Sequence, residues 1–184
     1  ESDRAMRLAA TAMRLVNAPS VRHNLDDLGA QFGVARSTVS DDVRLLDGLA
    51  RRLDIGRVET TPGKGGGVSF SPEVSASAIP ATLEAFAAEV RDPSRVLPGG
   101  FVYLTDLVCS PYWSSRLGAI FATVMRQAGP THVLTVETRG IPVALMTAHA
   151  LGLPLLIARR DARVTEGPAL SITYLSATTG RVQN

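Results

Sequence analysis

Two groups of residues in this 184-residue chain have types and spacing suited to chemistry. The first is Arg36, Ser37, Thr38, Ser40 and Arg44. Short hydroxyls reach phosphate oxygens or base edges without blocking a groove, and arginine pairs with phosphate or guanine, so this set points to a nucleic acid. Lys64, inside Pro62-Gly-Lys-Gly-Gly-Gly67, can reach a phosphate or the minor groove. The second group is the run Glu137-Thr-Arg-Gly140, together with Arg159 and Arg160. Arginine's planar fork donates two bonds to a phosphate at once, and a helix start offers unsatisfied amides to anions. On spacing alone, Arg159 and Arg160 read equally well as solvated strand-end charges paired with Asp161 or Glu166, and Gly140 as a plain helix start. His23, His132 and His149 stand in no motif, so no nucleophile and base pair emerges. The glycine run at 62–67 lacks the Gly-Lys-Ser/Thr ending and following helix of a phosphate-binding P-loop.

These residues need elements to hold them. Residues Asp3 to Val16 carry Met6, Ala9, Ala10, Met13, Leu15 and Val16 at near-helical spacing, which predicts one buried face. Pro19 ends that helix. A second helix fits Leu25 to Phe32, with Asn24 as N-cap, Leu25, Leu28 and Phe32 as its buried stripe, and Gly33 as the turn. A third runs from about Ala35 to Arg52, with Val39, Val43, Leu46 and Leu49 or Ala50 facing the core, and Ser37, Ser40, Asp41 and Arg44 opposite. Helix, glycine turn and helix is the order in which a second helix enters the major groove. Arg57–Thr61 and Val68–Ser71 then read as two strands around the glycine loop, a wing. To Glu73 there are ten basic and ten acidic residues, so DNA affinity there depends on charge placement, with Asp26, Asp27, Asp41, Asp42, Asp47 and Asp54 expected mostly away from the phosphates.

A boundary is expected near Pro72 to Ser77, giving domains 1–73 and 74–184. A packing helix from about Pro80 to Val90 follows, carrying Ala81, Leu83, Phe86 and Val90. Next come the segment Asp92 to Asp106, ending in an apolar strand-like run, and a helix after Pro111 whose Trp113, Leu117, Ile120, Phe121, Val124 and Met125 are expected in the core. From His132 the chain alternates a strand (His132 to Val136), a helix (about Ile141 to Leu151) and a strand (Pro154 to Ala158). That is a βαβ unit with a parallel sheet, whose ligands sit beyond the C-terminal strand ends. The fold class is therefore α/β, with an N-terminal winged helix-turn-helix and an incomplete parallel-sheet domain after it.

Composition agrees with a globular chain: 45% hydrophobic and 20% charged, with a formal net charge of +2 and pI near 9.1, too mildly basic to identify a partner. The single cysteine, Cys109, excludes an internal disulfide and a cysteine-rich metal site. It reads as a small apolar residue and fits a reducing setting. No run approaches the ~20 apolar residues of a membrane span, and residue 1 onward shows no signal-peptide core, so a cytoplasmic, nucleoid-associated protein is expected. Starting at Glu1 and stopping at Asn184 just after a strand-like run, the chain reads as a fragment.

Four blocks carry a resemblance: Thr61-Pro-Gly-Lys-Gly-Gly-Gly-Val68, Asp92 to Asp106, Val136-Glu-Thr-Arg-Gly-Ile-Pro-Val-Ala144 and Arg159 to Tyr174. In order and across essentially the whole chain, they resemble the purine operon repressor family of Gram-positive-type bacteria. The resemblance implies a winged helix joined to a type I phosphoribosyltransferase-like domain, and a homodimer that binds double-stranded DNA to repress purine synthesis and transport genes. It also implies 5-phosphoribosyl-1-pyrophosphate (PRPP) as an effector that weakens DNA binding, with no resident cofactor and nothing to indicate Mg2+. Thr138, Arg139 and Gly140 would hold pyrophosphate through backbone amides, Phe101 and Tyr103 would lie in the segment covering the ligand, and Arg160 to Gly167 would begin a flexible loop. Arg139 stands where the family commonly has lysine, which keeps the charge. One departure matters more. The family's PRPP motif, an apolar strand ending in two acidic residues before a glycine-containing loop, is absent here and would follow Asn184. The expected function is a PRPP-responsive repressor rather than an enzyme. The alternatives are an active phosphoribosyltransferase with an accessory DNA-binding domain and a winged-helix regulator whose input is a protein.

Overall fold

The structure is a computed structural model that describes residues 2–63, 66–160, 172–175, 177–178, 180 and 182–183. Three helices open the chain: α1 (Ser2–Asn17), α2 (Leu25–Phe32) and α3 (Arg36–Arg52). Asn24 caps α2 as expected, its side chain accepting from the Asp26 amide at 2.8 Å. Gly33 ends α2 in the left-handed conformation, φ 62°, the backbone that glycine adopts without a Cβ penalty. Strands β1 (Gly56–Thr61) and β2 (Gly67–Pro72) pair antiparallel from Gly56↔Pro72 to Thr61↔Gly67. The core of this part is Leu15, Leu25, Leu28, Val39, Val43, Leu46, Ala50, Val58, Val68 and Phe70. Ala50, not Leu49, supplies the inward position at the end of α3.

The expected buried face of α1 is corrected. Met6, Met13 and Val16 are exposed, while Arg7, Thr11 and Leu15 are buried. The reason is a polar partner: Arg7 Nε donates to Asp42 Oδ2 at 2.5 Å, and Asp42 is only 1% exposed on α3. A buried charge persists when it is paired, so a charged residue took a position that an apolarity count assigns elsewhere.

Past the wing, α4 (Ala78–Val90) has no fully buried residue and touches its surroundings mainly at Phe86, edge-on to Trp113 with ring centroids 5.2 Å apart. It covers the body lightly: of the expected packing residues, Ala81 and Leu83 are exposed and Phe86 and Val90 only half-buried. A short 3-10 turn, Pro93–Arg95, leads into the two-residue strands β3 (Val96–Leu97) and β4 (Phe101–Val102). These form a small hairpin where a single apolar strand was expected. The helices α5 (Thr105–Cys109) and α6 (Pro111–Met125) follow. Cys109 is exposed, not packed as a small apolar residue, since it sits at the outer end of α5.

In α6, Trp113, Leu117 and Ile120 are buried, but Phe121, Val124 and Met125 are exposed. The buried side is completed instead by Ser114, Gly118 and Ala122. Those small residues let α7 (Ile141–Leu151) lie close: a Cβ on Gly118 would sit 2.6 Å from Met146 Cβ. Strands β5 (Val133–Val136) and β6 (Leu155–Ala158) pair in parallel, Val133↔Leu155 to Val136↔Ala158, around α7. The expected βαβ unit is present. Two further short strands, β7 (Tyr174–Leu175) and β8 (Val182–Gln183), pair antiparallel. No helix among the described residues is long and apolar enough to cross a membrane.

Candidate nucleic-acid interface and anion loop

The outer face of α3 is built by the spacing of its apolar residues. With Val39, Val43, Leu46 and Ala50 locked inward, a 3.6-residue repeat turns Ser37, Ser40, Asp41, Arg44, Gly48 and Arg51 outward on one stripe. Arg36, Ser37 and Arg44 are exposed, and Thr38 and Ser40 are half-buried. All five expected contacts on α3 therefore lie at or beside this face. Lys64 lies outside the described residues.

The wing stands beside α3 because three backbone bonds stitch it to the segment before α2. Ser20 N donates to Phe70 O at 2.7 Å, His23 N to Val68 O and Val68 N to His23 O, both at 2.8 Å. At the far end of α3, Asp47 accepts from the Val58 amide at 2.9 Å and from Arg51 Nε at 2.8 Å. Burial would raise the Asp47 pKa, but these two bonds outweigh it and leave the carboxyl below its ordinary value. Helix and hairpin are thus one unit, which is the geometry that a major-groove helix with a flanking wing requires.

Of the six aspartates expected mostly away from the phosphates, Asp26 and Asp41 pair with arginines on or beside this face. Asp26 Oδ2 accepts from Arg36 Nη1 at 2.8 Å, and Asp41 Oδ1 from Arg44 Nη1 at 2.9 Å. The two arginines best placed for phosphate are each held by a carboxylate on the same surface. The Asp41 and Arg44 pair was legible as an i,i+3 spacing. Asp26 and Arg36 are brought together only by the turn at Gly33.

The second candidate site starts at the C-terminal ends of β5 and β6. Glu137 N donates to Ala158 O at 2.9 Å, and Thr138 Oγ1 donates to Val136 O and accepts from Gly140 N, each at 3.3 Å. Gly140 is the N-cap of α7, so its helix-start reading holds. Thr138, Arg139 and Gly140 form an exposed loop at the positive end of that helix. Arg159 Nε lies 3.8 Å from Glu137 Oε1, across the strand ends; Asp161 and Glu166, named as partners on spacing, lie outside the described residues. Arg160 is exposed at the edge of the described chain.

Phe101 and Tyr103 are exposed on and just after β4. Their hairpin is pinned by Arg95, which donates to both Asp106 oxygens at 2.7 and 2.9 Å and to Tyr103 O at 3.2 Å. That guanidinium holds the Asp106 carboxyl below the usual carboxylate range. The hairpin runs into α5, which packs on α7. Among the described residues no hydrogen bond joins the hairpin to the 138–140 loop.

A junction missed by sequence reasoning joins the winged part to the rest of the chain. The Ala150 carbonyl, at the C-terminal end of α7, accepts from Ser20 Oγ at 2.9 Å and from Arg126 Nη2 at 3.3 Å. Arg126 Nη2 also donates to Pro72 O at the end of β2, 3.2 Å away, and burial lowers its pKa from the ordinary arginine value. Gly152, φ 66°, leaves no room for a side chain, since a Cβ there would meet Ser20 Cβ at 2.8 Å. No local pattern encodes contacts separated by 130 positions, as Ser20 and Ala150 are.

Residues 3–72 match the family model described as the bacterial purine repressor, N-terminal. The chain is 35% identical over 170 residues to the purine biosynthesis transcriptional activator PurR of Lactococcus lactis subsp. lactis, covering 92% of this chain and 63% of that protein. It is 33% identical over 180 residues to the purine biosynthesis transcriptional repressor PurR of Bacillus subtilis, covering 98% and 63%. A xanthine phosphoribosyltransferase of Deinococcus deserti is 34% identical over 104 residues, 54% of each chain. The chain thus spans about 63% of the length of these curated regulators. Residues 3–72 therefore carry the N-terminal domain of the bacterial purine repressor family, and the likeness to purine biosynthesis regulators runs along nearly the whole of this chain.

Proposed function

We propose that this chain is the DNA-binding and ligand-sensing part of a homodimeric transcription regulator of purine genes, a repressor whose grip on DNA is weakened by PRPP. The observation that carries this reading is the outward stripe of α3 beside the wing, with Ser37, Ser40 and Arg44 on a helix tied to β1 through Asp47. Such a protein acts in the cytoplasm, on the nucleoid. Relatives of nearly the same similarity are named as an activator and a repressor, and repression is the sign proposed for this chain. The proposed domain division is 1–73 and 74–184, with Ser20, Pro72, Arg126 and Ala150 across the seam.

For PRPP, the residues present fit the pyrophosphate end. Thr138, Arg139 and Gly140 offer amides and a charge at a helix start, a ready anion site. Phe101 and Tyr103 supply exposed aromatic cover, and Arg160 extends the basic rim.

The test is a gel-shift titration with DNA from upstream of purine genes, repeated with millimolar PRPP. Retardation that PRPP relieves is expected. Retardation unmoved by PRPP contradicts the effector assignment while leaving DNA binding intact.

A second reading, an active phosphoribosyltransferase with an accessory DNA-binding domain, is favoured by the similarity to the Deinococcus deserti enzyme. Release of pyrophosphate on mixing PRPP with purine bases would establish it. The proteins matched along nearly the whole chain are named as regulators, whereas the transferase matches over half of it, so catalysis is no part of the function proposed.

A further inference from the structure

We propose that Asp26 and Asp41 are specificity-determining residues, carboxylates built into the DNA-facing surface that hold Arg36 and Arg44 and so suppress binding to DNA of arbitrary sequence. The inference rests on the DNA-binding reading above and deepens it.

Both contacts are charge-assisted hydrogen bonds, 2.8 Å for Arg36 to Asp26 and 2.9 Å for Arg44 to Asp41. All four side chains are more than half exposed, so the pairs are screened by solvent and can exchange partners. An arginine leaving such a pair for a DNA phosphate trades one anionic acceptor for another of similar geometry. The contact therefore yields little net attraction, and the abandoned carboxylate is left facing a phosphate backbone of its own sign.

On a matched site that deficit is reversible. A carboxylate in the major groove can accept from a cytosine amino group, so an arginine that moves to phosphate no longer leaves an unpaired anion behind. Asp41 has the position for this, between Ser37 and Arg44 on the outward stripe of α3. Asp26 lies in the first turn of α2, where the helix dipole favours a negative charge, and it holds Arg36 at the start of α3. On random DNA no amino group stands opposite, and the carboxylates remain repulsive. The balance of ten acidic against ten basic residues to Glu73 then has a purpose at this surface.

The experiment uses the 184-residue chain and a labelled duplex of random sequence in fluorescence anisotropy titrations. The control is Asp27→Asn, which removes the same charge one position away and leaves both pairs in place. Asp41→Asn and Asp26→Asn are each expected to tighten random-duplex binding roughly two- to fivefold more than Asp27→Asn, the range that an exposed pair supports. The slope of log affinity against log salt is expected to steepen by about one for each freed arginine. In an Arg44→Ala background the advantage of Asp41→Asn over Asp27→Asn is expected to vanish. Equal effects of Asp41→Asn and Asp27→Asn overturn the inference, as does an advantage that persists without Arg44, which reports charge alone. No binding by any of these proteins at low salt overturns the DNA-binding reading and this inference with it.

Discussion

Gly48 stands in the middle of α3, on the same face as Ser37 about three turns away, and a Cβ there would meet nothing within 4 Å. Its φ is not positive, so neither the backbone nor the packing of the chain requires glycine. A glycine inside a helix costs about 0.5–1 kcal/mol relative to alanine, and retaining it leaves a gap in which a DNA backbone can approach. Gly48→Ala is therefore expected to stabilise the protein by about that amount, raising the melting temperature by roughly 1–4 °C, while weakening binding to purine-gene DNA. A thermal melt paired with an anisotropy titration checks both; a variant no more stable than the parent, or one that binds DNA equally well, contradicts the argument. At this scale the sequence was informative about the outward face of α3 and misleading about a buried pair of charges. Ser37, Ser40 and Arg44 were legible from the apolar repeat opposite them. Arg7 and Asp42 were not, because burial of each depends on the other, and a count of apolar residues then assigned Met6, Met13 and Val16 to the core of α1.

At the scale of elements, the wing and the segment before α2 share a titratable group. His23 exchanges two backbone bonds with Val68, and its Nε2 is buried with no hydrogen-bond partner among the described residues. Burial, with a smaller push from Arg14, holds its pKa below the ordinary value. The unfolded chain therefore takes up a proton near pH 6.5 that the folded chain resists. The neutral imidazole's contribution is fully present above about that pH and is lost as pH falls from there through the folded value. Chemical denaturation between about pH 7.5 and 5.5 should show stability declining toward acid, and His23→Gln should flatten the decline. The depressed carboxyls of Asp47 and Asp106 lose their contribution only below about pH 4, outside that window. A slope unchanged by His23→Gln would place the titrating group elsewhere. Elements were legible wherever a periodic run was long: α2, α3 and α7 fall close to their expected bounds. The β3–β4 hairpin and α5 escaped because runs of two to five residues carry no period to read.

Across the whole molecule, one helix runs from the anion loop to the base of the winged part. The Thr138 to Gly140 loop opens α7, and Ala150 and Gly152 close it against Ser20 and Arg126, with Pro72 of β2 on the other side of that guanidinium. Gly118 lets α6 lie against α7 with no slack between Met146 and the α6 backbone. The winged part and the body are therefore packed as neighbours through specific polar contacts, and none of these pairings is visible in the local sequence pattern. The parallel β5–α7–β6 unit was visible, since its apolar runs and turn residues are contiguous. Under the proposed function, purine-gene DNA is read through the outward face of α3. Anisotropy titrations of a labelled purine-gene upstream duplex, in excess unlabelled random duplex and over a series of salt concentrations, test it most directly with the parent chain and Arg44→Ala side by side. Binding that survives the random competitor, and that in Arg44→Ala weakens with a salt slope shallower by about one, is the expected result. Parent binding abolished by the random competitor, or an Arg44→Ala variant with the parent's affinity and slope, would contradict it.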